Sequence, residues 1–566
     1  MIRGALPRVR SGVRPAALAC GPRLRHRSDV PRSRAERALT LFLLLNVAAL
    51  LTFYASLLLP ILRDRAYMPA WTDEYGYVLD ARSFAANGTL HAARIKQERV
   101  SHAFEASTHG PAYILLQGGI ARAFGDPVAL SLWPNVVVLV IVLLLVVAFP
   151  LDLVQRLWIA VLLLLHFGVF LYAFTWMVET WQVLFAVAAT LLLMTLYASD
   201  RASPRFRRTF VAYAVLLLVL SAFRVSYALW ALGLVPLARD RRELLWLGVV
   251  SLLLVAIGVG IMQQLSASNP NWPLSRAAAS LSRGDAGGAF HLVASNVREN
   301  LQRYFVGETQ GLRFYVVMKY AVIVLGLVLL YAGIRRGDRL ALAASLILAA
   351  HLALLFLLYD ATTWREHRHL APVFYLMTVA LVAGRHRAAT FALYVMLLAL
   401  FPEVVGYAHA RVLPERQWMA RQWGAATEAR AALADLAQLD GRDDGGPITI
   451  LHAQGFYRNM SVFPLAVPVV NHGGRPIRYT GNLGNTPDTK RFGRLPIDYV
   501  LLPPGAKPEP GWRLVREDRF YVLYDLRPAS GAGTGESPSP RSSASDRCIR
   551  FASLPSSASS VARSSS

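Results

Sequence analysis

Between residues 38 and 407 the chain is a succession of apolar runs broken by short clusters of arginine. The first run, ALTLFLLLNVAALLTFYASLLLPI from Ala38, is long enough to cross a bilayer as a helix, which takes about 20 apolar residues. The same pattern predicts further helices over 129–149, 157–176, 180–198, 209–222, 225–238, 244–265, 314–334, 340–359, 369–384 and 388–407, or roughly eleven crossings in all. Strict alternation of the kind a membrane barrel needs is absent. The expected fold is an all-α polytopic membrane protein.

After residue 407 the pattern changes. PERQWMARQWGAATEARAALADLAQL has helical periodicity, with Trp423, Ala426, Leu433 and Leu436 on one face. Short β-like runs follow at Ile448, Asp498, Trp512 and Phe520, punctuated by Pro and Gly. Residues 408–527 therefore read as a small α/β domain outside the membrane. Residues 528–566 are Ser-rich and read as a disordered tail.

Charge sets the orientation. Residues 1–37 hold ten Arg against two acids and read as a disordered basic arm on the cytoplasmic side. The loop 62–128 then faces outside. The remaining clusters (Arg156; Arg201, Arg205, Arg207 and Arg208; Arg239, Arg241 and Arg242; Arg335, Arg336 and Arg339; Arg385 and Arg387) all fall inside, provided that 209–238 is two segments meeting at Arg224. As one long helix it would invert the loops that follow. The predicted location is the plasma (inner) membrane of a bacterium, multi-pass, with the N-terminus cytoplasmic and the C-terminal domain extracytoplasmic.

Composition agrees. The chain is 55% hydrophobic and 17% charged, too apolar for a soluble protein of 566 residues. A net charge of +24 suits nucleic acid, but its division into short clusters between apolar runs suits membrane orientation instead, so no nucleic-acid partner is expected. Cys20 and Cys548 lie in the two tails and build neither a disulfide framework nor a metal site.

The candidate chemistry gathers in the outer loops. WTDEYGYVLDARSFAANG, from Trp71, places Asp73 and Glu74 in the first turn of a helix capped by Thr72 and stopped by Gly88. Tyr75, Val78, Leu79 and Phe84 give that helix an apolar side able to lie along the membrane surface. First-turn acids also complement the helix dipole with no further role. The same environment keeps a carboxylate ionised, as a base or metal ligand must be. His109, before the helix-starting Pro111, is a candidate phosphate ligand or an ordinary loop histidine. Arg224 interrupts an apolar run, where an ionisable group is costly and functional by default; the alternative is snorkelling. Glu179, Arg365, His367, Arg368 and His369 fall at outer turns, the last four against the positive-inside tendency.

These elements resemble, in order and sidedness, the GT-C superfamily of polytopic glycosyltransferases, especially the branch with protein O-mannosyltransferases and aminoarabinose transferases. The matching stretches are DEYGYVLDARSFAANG in the first outer loop, HGPAYILLQ after it, MVET, SAFRVSYALWALGLVPLARDRR and WREHRHLAPVF, spread over residues 38–407. Gly110 and Ala112 stand where a second Pro and a Leu are usual, and His369 where an aromatic is common. The resemblance implies an inverting transfer of a sugar from a polyprenyl-phosphate donor to an acceptor hydroxyl on a glycolipid, polysaccharide or protein at the outer face. It implies Asp73 as general base, Glu74 as orienter of the acceptor or ligand of a divalent metal, and Arg224, Arg365, Arg368 and His109 on the departing phosphate. Glu179, His367 and His369 would support them. Two other classes fit the same pattern: a transporter or lipid-linked sugar flippase, and a non-catalytic envelope assembly protein with the same fold.

Overall fold

A computed structural model describes residues 33–64, 72–88, 94–95, 111–125, 130–265, 273–306, 312–358, 368–413, 424, 427–443, 445–452, 466–481, 497–519 and 521–527. The N-terminal arm before residue 33 and the tail from 528 lie outside them, as do His109, Arg365, His367, Trp423, Ala426 and the side chains of Thr72, Asp73 and Tyr75. Residues up to Leu526 form one compact unit.

Each of the eleven apolar runs is helical. They are α1 (Arg34–Asp64), α4 (Trp133–Ala148), the pair α5 (Leu153–Leu165) and α6 (Phe167–Ala173), α7 (Glu179–Ala198), α8 (Pro204–Ser221), a 3-10 helix (Val225–Leu237), α9 (Arg241–Leu265), α12 (Arg313–Arg336), α13 (Arg339–Leu358), α14 (Ala371–Ala383) and α15 (Arg387–Arg411). Among the described residues six helices are long and apolar enough to cross a membrane, or seven if the bent α5–α6 pair is one span. α2 (Thr72–Asn87) and α3 (Pro111–Phe124) precede α4, while α10 (Pro273–Ser282) and α11 (Ala286–Val306) fill the stretch before α12.

Two breaks in the expected spans have local causes. The run predicted over 157–176 bends by 59° between α5 and α6. There the His166 ring accepts a hydrogen bond from the Gly168 N–H at 3.0 Å and starts a new helix. Only glycine fits at 168, because a Cβ would lie 2.9 Å from the Tyr375 hydroxyl. The second break falls at Arg224, whose backbone is extended (φ −158°, ψ 124°) between α8 and the 3-10 helix. The two-segment reading of 209–238 is therefore what the backbone adopts. At about 2.0 Å per residue the 13 residues of the 3-10 helix reach about 26 Å, almost a hydrocarbon core. Runs of 3-10 helix this long are uncommon because their hydrogen bonds are poorly aligned. Neighbouring hydroxyls compensate: Tyr213 donates to Trp230 O (2.7 Å), Ser251 to Ala231 O (2.8 Å) and Tyr197 to Gly233 O (2.5 Å).

The basic turns meet one another at the end of the bundle away from α2. Arg385 pairs with Asp152 at 3.5 Å, His386 lies 3.7 Å from Asp338, and Arg201 pairs with Glu243 at 2.8 Å.

The C-terminal part is an α/β unit, as its pattern predicts. Residues 427–433 are helical and Ala434–Gln438 form a 3-10 turn, with Leu433 and Leu436 buried. The strands are β2 (Ile448–His452), β3 (Ile477–Gly481), β4 (Tyr499–Leu502), β5 (Arg513–Glu517) and β6 (Val522–Asp525). A further strand, β1 (Arg94–Ile95), comes from the loop after α2 and pairs in parallel with β3. The sheet order is β1-β3-β2-β4-β6-β5, parallel from β1 through β4, with β6 antiparallel to β4 and β5 antiparallel to β6. Neither β1 nor β3 was expected from the sequence. Together with the Arg82 guanidinium, which donates to Val467 O at 3.2 Å, β1 ties the first long loop to the sheet.

Candidate active site

α2 begins at Thr72 and ends at Asn87, and the positive φ of Gly88 (+70°) closes it, its N–H donating to Phe84 O at 2.8 Å. Its setting differs from the expected one. Rather than lying along the membrane surface on its apolar side, α2 packs against α3, with Tyr77, Val78, Leu79, Asp80, Ala81 and Ser83 all buried. Both faces carry large or polar groups that find protein partners, so little apolar surface is left for lipid.

Glu74 is completely buried. Its Oε1 accepts a hydrogen bond from the Trp176 N–H at 2.6 Å. Trp176 belongs to the turn between α6 and α7, and that turn is braced from several sides. The Asn135 amide of α4 donates to Ala173 O (3.1 Å) and Thr175 O (2.6 Å). The Tyr113 hydroxyl of α3 donates to Trp176 O at 2.5 Å, and the Trp176 indole N–H donates to Ser131 O at 2.9 Å. Buried backbone carbonyls at a helix end need such donors, and side chains supply them here.

Three residues beyond Trp176, Glu179 opens α7. It is buried and pairs with Arg224 at 3.1 Å; Arg368 stands 3.8 Å from the same Oε1. The other guanidinium nitrogen of Arg224 donates to Gln182 Oε1 at 3.1 Å, and the Tyr227 hydroxyl donates to the Gln182 carbonyl at 3.1 Å. Glu179 Oε2 and Gln182 Nε2 have no hydrogen-bond partner among the described residues. The break at Arg224 thus frees a guanidinium from the helix axis and turns it toward the MVET turn. Arg224 is paired and buried, so end-of-helix snorkelling does not describe it.

Tyr113 joins the two halves. Burial, followed by the charges of Glu179 and Glu74, pushes its hydroxyl well above the usual tyrosine value. The phenol and the Glu74 carboxylate thus bind the same residue of the turn, Trp176, from its carbonyl and its N–H. Tyr77, Tyr113, Tyr172, Met177 and Val178 form an apolar cluster of their own there, with Trp181 and Phe223 against it.

Of the residues expected from the sequence, Glu74, Glu179, Arg224 and Arg368 come together, and His369 follows Arg368 into the chain that leads to α14. The helix backbone carries Asp73 beside Glu74, while His109, Arg365 and His367 lie outside the described residues. The sequence reading missed Tyr113, Asn135, Trp176 and Gln182. Two of these had a signal. Asn135 is a lone amide in the apolar run WPNVVVLVIVLLLVVA, and Gln182 is one turn from Glu179 on the same helix face. Trp176 acts through its backbone, which leaves no mark on residue identity.

For a divalent metal, the described residues offer no group of three or more His, Cys, Asp or Glu. Oε1 of Glu74 is taken by an N–H, and Oε1 of Glu179 by guanidinium, so neither presents a free carboxylate fork.

No family model matches the chain, nor does any curated protein. Among solved structures, it is similar to the oligosaccharyltransferase of Archaeoglobus fulgidus in complex with zinc and sulfate (12% identity, TM-score 0.44, covering 77% of this chain and 64% of that one). It is also similar to ArnT of Cupriavidus metallidurans bound to undecaprenyl phosphate (15% identity, TM-score 0.43, covering 87% of this chain and 99% of that one). The chain thus spans just under two thirds of the archaeal protein. At these identities and scores, the chemistry has to be read from the residues of the site itself.

Proposed function

We propose that the protein is an inverting glycosyltransferase that moves a sugar from a polyprenyl-phosphate donor to an acceptor hydroxyl on a glycolipid, polysaccharide or protein, at the outer face of a bacterial inner membrane. The observation that carries this reading is the MVET turn, which grips Glu74 by the Trp176 N–H and, three residues on, offers Glu179 to Arg224 and Arg368. Buried carboxylates and guanidinium groups thus gather around one turn, where charges act strongly on one another.

In this reading Asp73 takes the proton of the acceptor hydroxyl as it attacks the anomeric carbon. Glu74, fixed by the Trp176 N–H, orients the acceptor. Arg224 and Arg368 stabilise the negative charge that develops on the departing phosphate, with Glu179 and Gln182 holding Arg224 in its rotamer. Arg365 and His109 join the phosphate side, and His367 and His369 support it.

Transporters tend to place their charged groups near the bilayer midplane between inverted repeats. Here they gather around a turn at one end of the bundle, on the side of the loop that supplies β1 to the sheet. Purified protein incubated with labelled polyprenyl-phosphate sugar and a crude envelope acceptor tests the reading. Label should pass to the acceptor. Translocation of intact donor between leaflets, or no change at all, would contradict it. Orientation has its own test: reporter fusions after Arg208 and Gly337 should read cytoplasmic, and fusions after Asp80 and Asp444 external. An external signal at Gly337 would place the cluster on the wrong side of the membrane for this chemistry.

A further inference from the structure

α11 has three distinct faces. Ala289, Asn296, Asn300 and Tyr304 are buried against the bundle. At roughly 100° per residue, Phe290, Val297, Leu301 and Phe305 fall on an adjoining stripe, and His291, Ser295, Arg298 and Gln302 on the remaining side. The apolar stripe is largely uncovered, with Phe290 77% exposed and Leu301 and Phe305 exposed as well.

Its height is fixed by specific bonds. The last carbonyls of a helix lack intrahelical donors. The Asn296 amide donates to Phe356 O and Leu357 O, both at 3.1 Å, and the Asn300 amide to Phe356 O at 2.8 Å. α11 therefore lies across the end of α13, at the level where that span stops. At its own C-terminal end, the Tyr304 hydroxyl donates to Lys319 O of α12 at 3.2 Å, and the Lys319 ammonium donates back to Tyr304 O. The Tyr320 hydroxyl donates to Phe305 O at 3.3 Å, and the two rings lie 6.3 Å apart. Tyr320 begins the exposed row Tyr320, Val324, Leu327, Tyr331 and Ile334 along α12, whose length and hydropathy make it a span. The stripe on α11 thus continues a lipid-facing surface around a corner.

We propose that α11 is an interfacial helix bound to the bilayer itself. Its Phe290–Leu301–Phe305 stripe sits among the acyl chains, and Arg298 reaches the phosphates of the headgroups. Burying one such aromatic or leucine side chain is worth about 1.5–3 kcal/mol. A helix with one apolar and one polar side settles at this boundary. The inference rests on the membrane-spanning bundle and not on the proposed chemistry.

Spin labels test it on the full chain. In a Cys20→Ser, Cys548→Ser background, single cysteines replace Phe290, Leu301 or Phe305, and in a second set His291, Ser295 or Gln302. All six positions are assayed in phosphatidylethanolamine–phosphatidylglycerol vesicles. The first set should be relaxed several-fold more by oxygen than by a water-soluble nickel chelate, and the second set the reverse. Equal access of the nickel chelate to both sets would overturn the proposal, placing α11 in water. Shielding of the first set from both relaxants would also overturn it, because a protein and not lipid would then cover the stripe.

Discussion

Among the described residues, two cations, Arg224 and Lys319, are buried among the helices, and they are held in opposite ways. Arg224 sits where the chain breaks between α8 and the 3-10 helix, and it pairs with a carboxylate and an amide from α7. Lys319 sits in the unbroken α12, and among the described residues no carboxylate pairs with it. It donates to the Tyr304 carbonyl and lies about 5.7 Å from the Tyr304 and Tyr320 ring centroids (5.6 and 5.7 Å). A ring face and a carbonyl suffice to hold an ammonium near a membrane boundary. A broken span, a paired guanidinium and an opposing acid are far more expensive to build, and they occur together at the end of the bundle that carries Glu74. In the proposed reading, burial of charge alone does not mark a site; interruption of the backbone to aim the charge does.

The largest effect expected from this contrast is at Arg224. Arg224→Ala leaves buried Glu179 with only the more distant Arg368, at 3.8 Å, and breaking a buried pair by removing one partner costs up to about 3–5 kcal/mol. Sugar transfer should fall by about 10²-fold or more if the guanidinium also stabilises the departing phosphate. Arg224→Lys keeps the charge but loses the two-pronged geometry, so it should recover stability and only part of the rate. Thermal unfolding and donor kinetics on detergent-purified protein check both, and wild-type kinetics in Arg224→Ala would reduce the residue to a structural role.

A smaller loss is expected at Asn135, which touches neither cation but braces the turn before Glu179, the partner of Arg224. Asn135→Leu strips a donor from the buried carbonyls of Ala173 and Thr175, and each unsatisfied carbonyl costs about 1–3 kcal/mol. Slight displacement of the Trp176 N–H, and with it Glu74, should lower kcat about tenfold at an unchanged donor KM. A raised KM with normal kcat would mean that the turn serves donor binding instead.

The smallest effect belongs to Lys319. Lys319→Met keeps the length and removes the charge, and because no carboxylate pairs with Lys319 among the described residues, no opposite charge is left buried alone. Transfer should stay within about twofold, while loss of the bond to the Tyr304 carbonyl should cost about 1–3 kcal/mol of stability. A collapse of activity would erase the distinction drawn between the two cations.

Much of the fold was legible because the bilayer demands it. Apolar length and arginine placement gave all eleven helical runs, and the lone arginine within 209–238 marked the break that the backbone confirms. Gly88 closed α2 with the positive φ expected of it, and the helix begins at Thr72. What escaped was structure specified by tertiary contact. β1 is two residues long and is a strand only because β3 lies beside it. α11 has three faces, so no single period describes it. The burial of α2 against α3 depends on a neighbour that the local pattern does not name. Within the site the charged residues announced themselves in an apolar chain, whereas the Trp176 N–H, which holds Glu74, belongs to a backbone that any residue but proline would supply.

The central claim is that the acidic pair at the start of α2 does chemistry and does not merely cap a helix. A turnover assay of Asp73→Asn with labelled polyprenyl-phosphate sugar tests it most directly. Asn caps a helix nearly as well as Asp, and losing one first-turn charge costs only about 0.3–1 kcal/mol. The account predicts unchanged insertion and melting together with a fall in transfer of at least about 10²-fold. A fully active Asp73→Asn protein would contradict it.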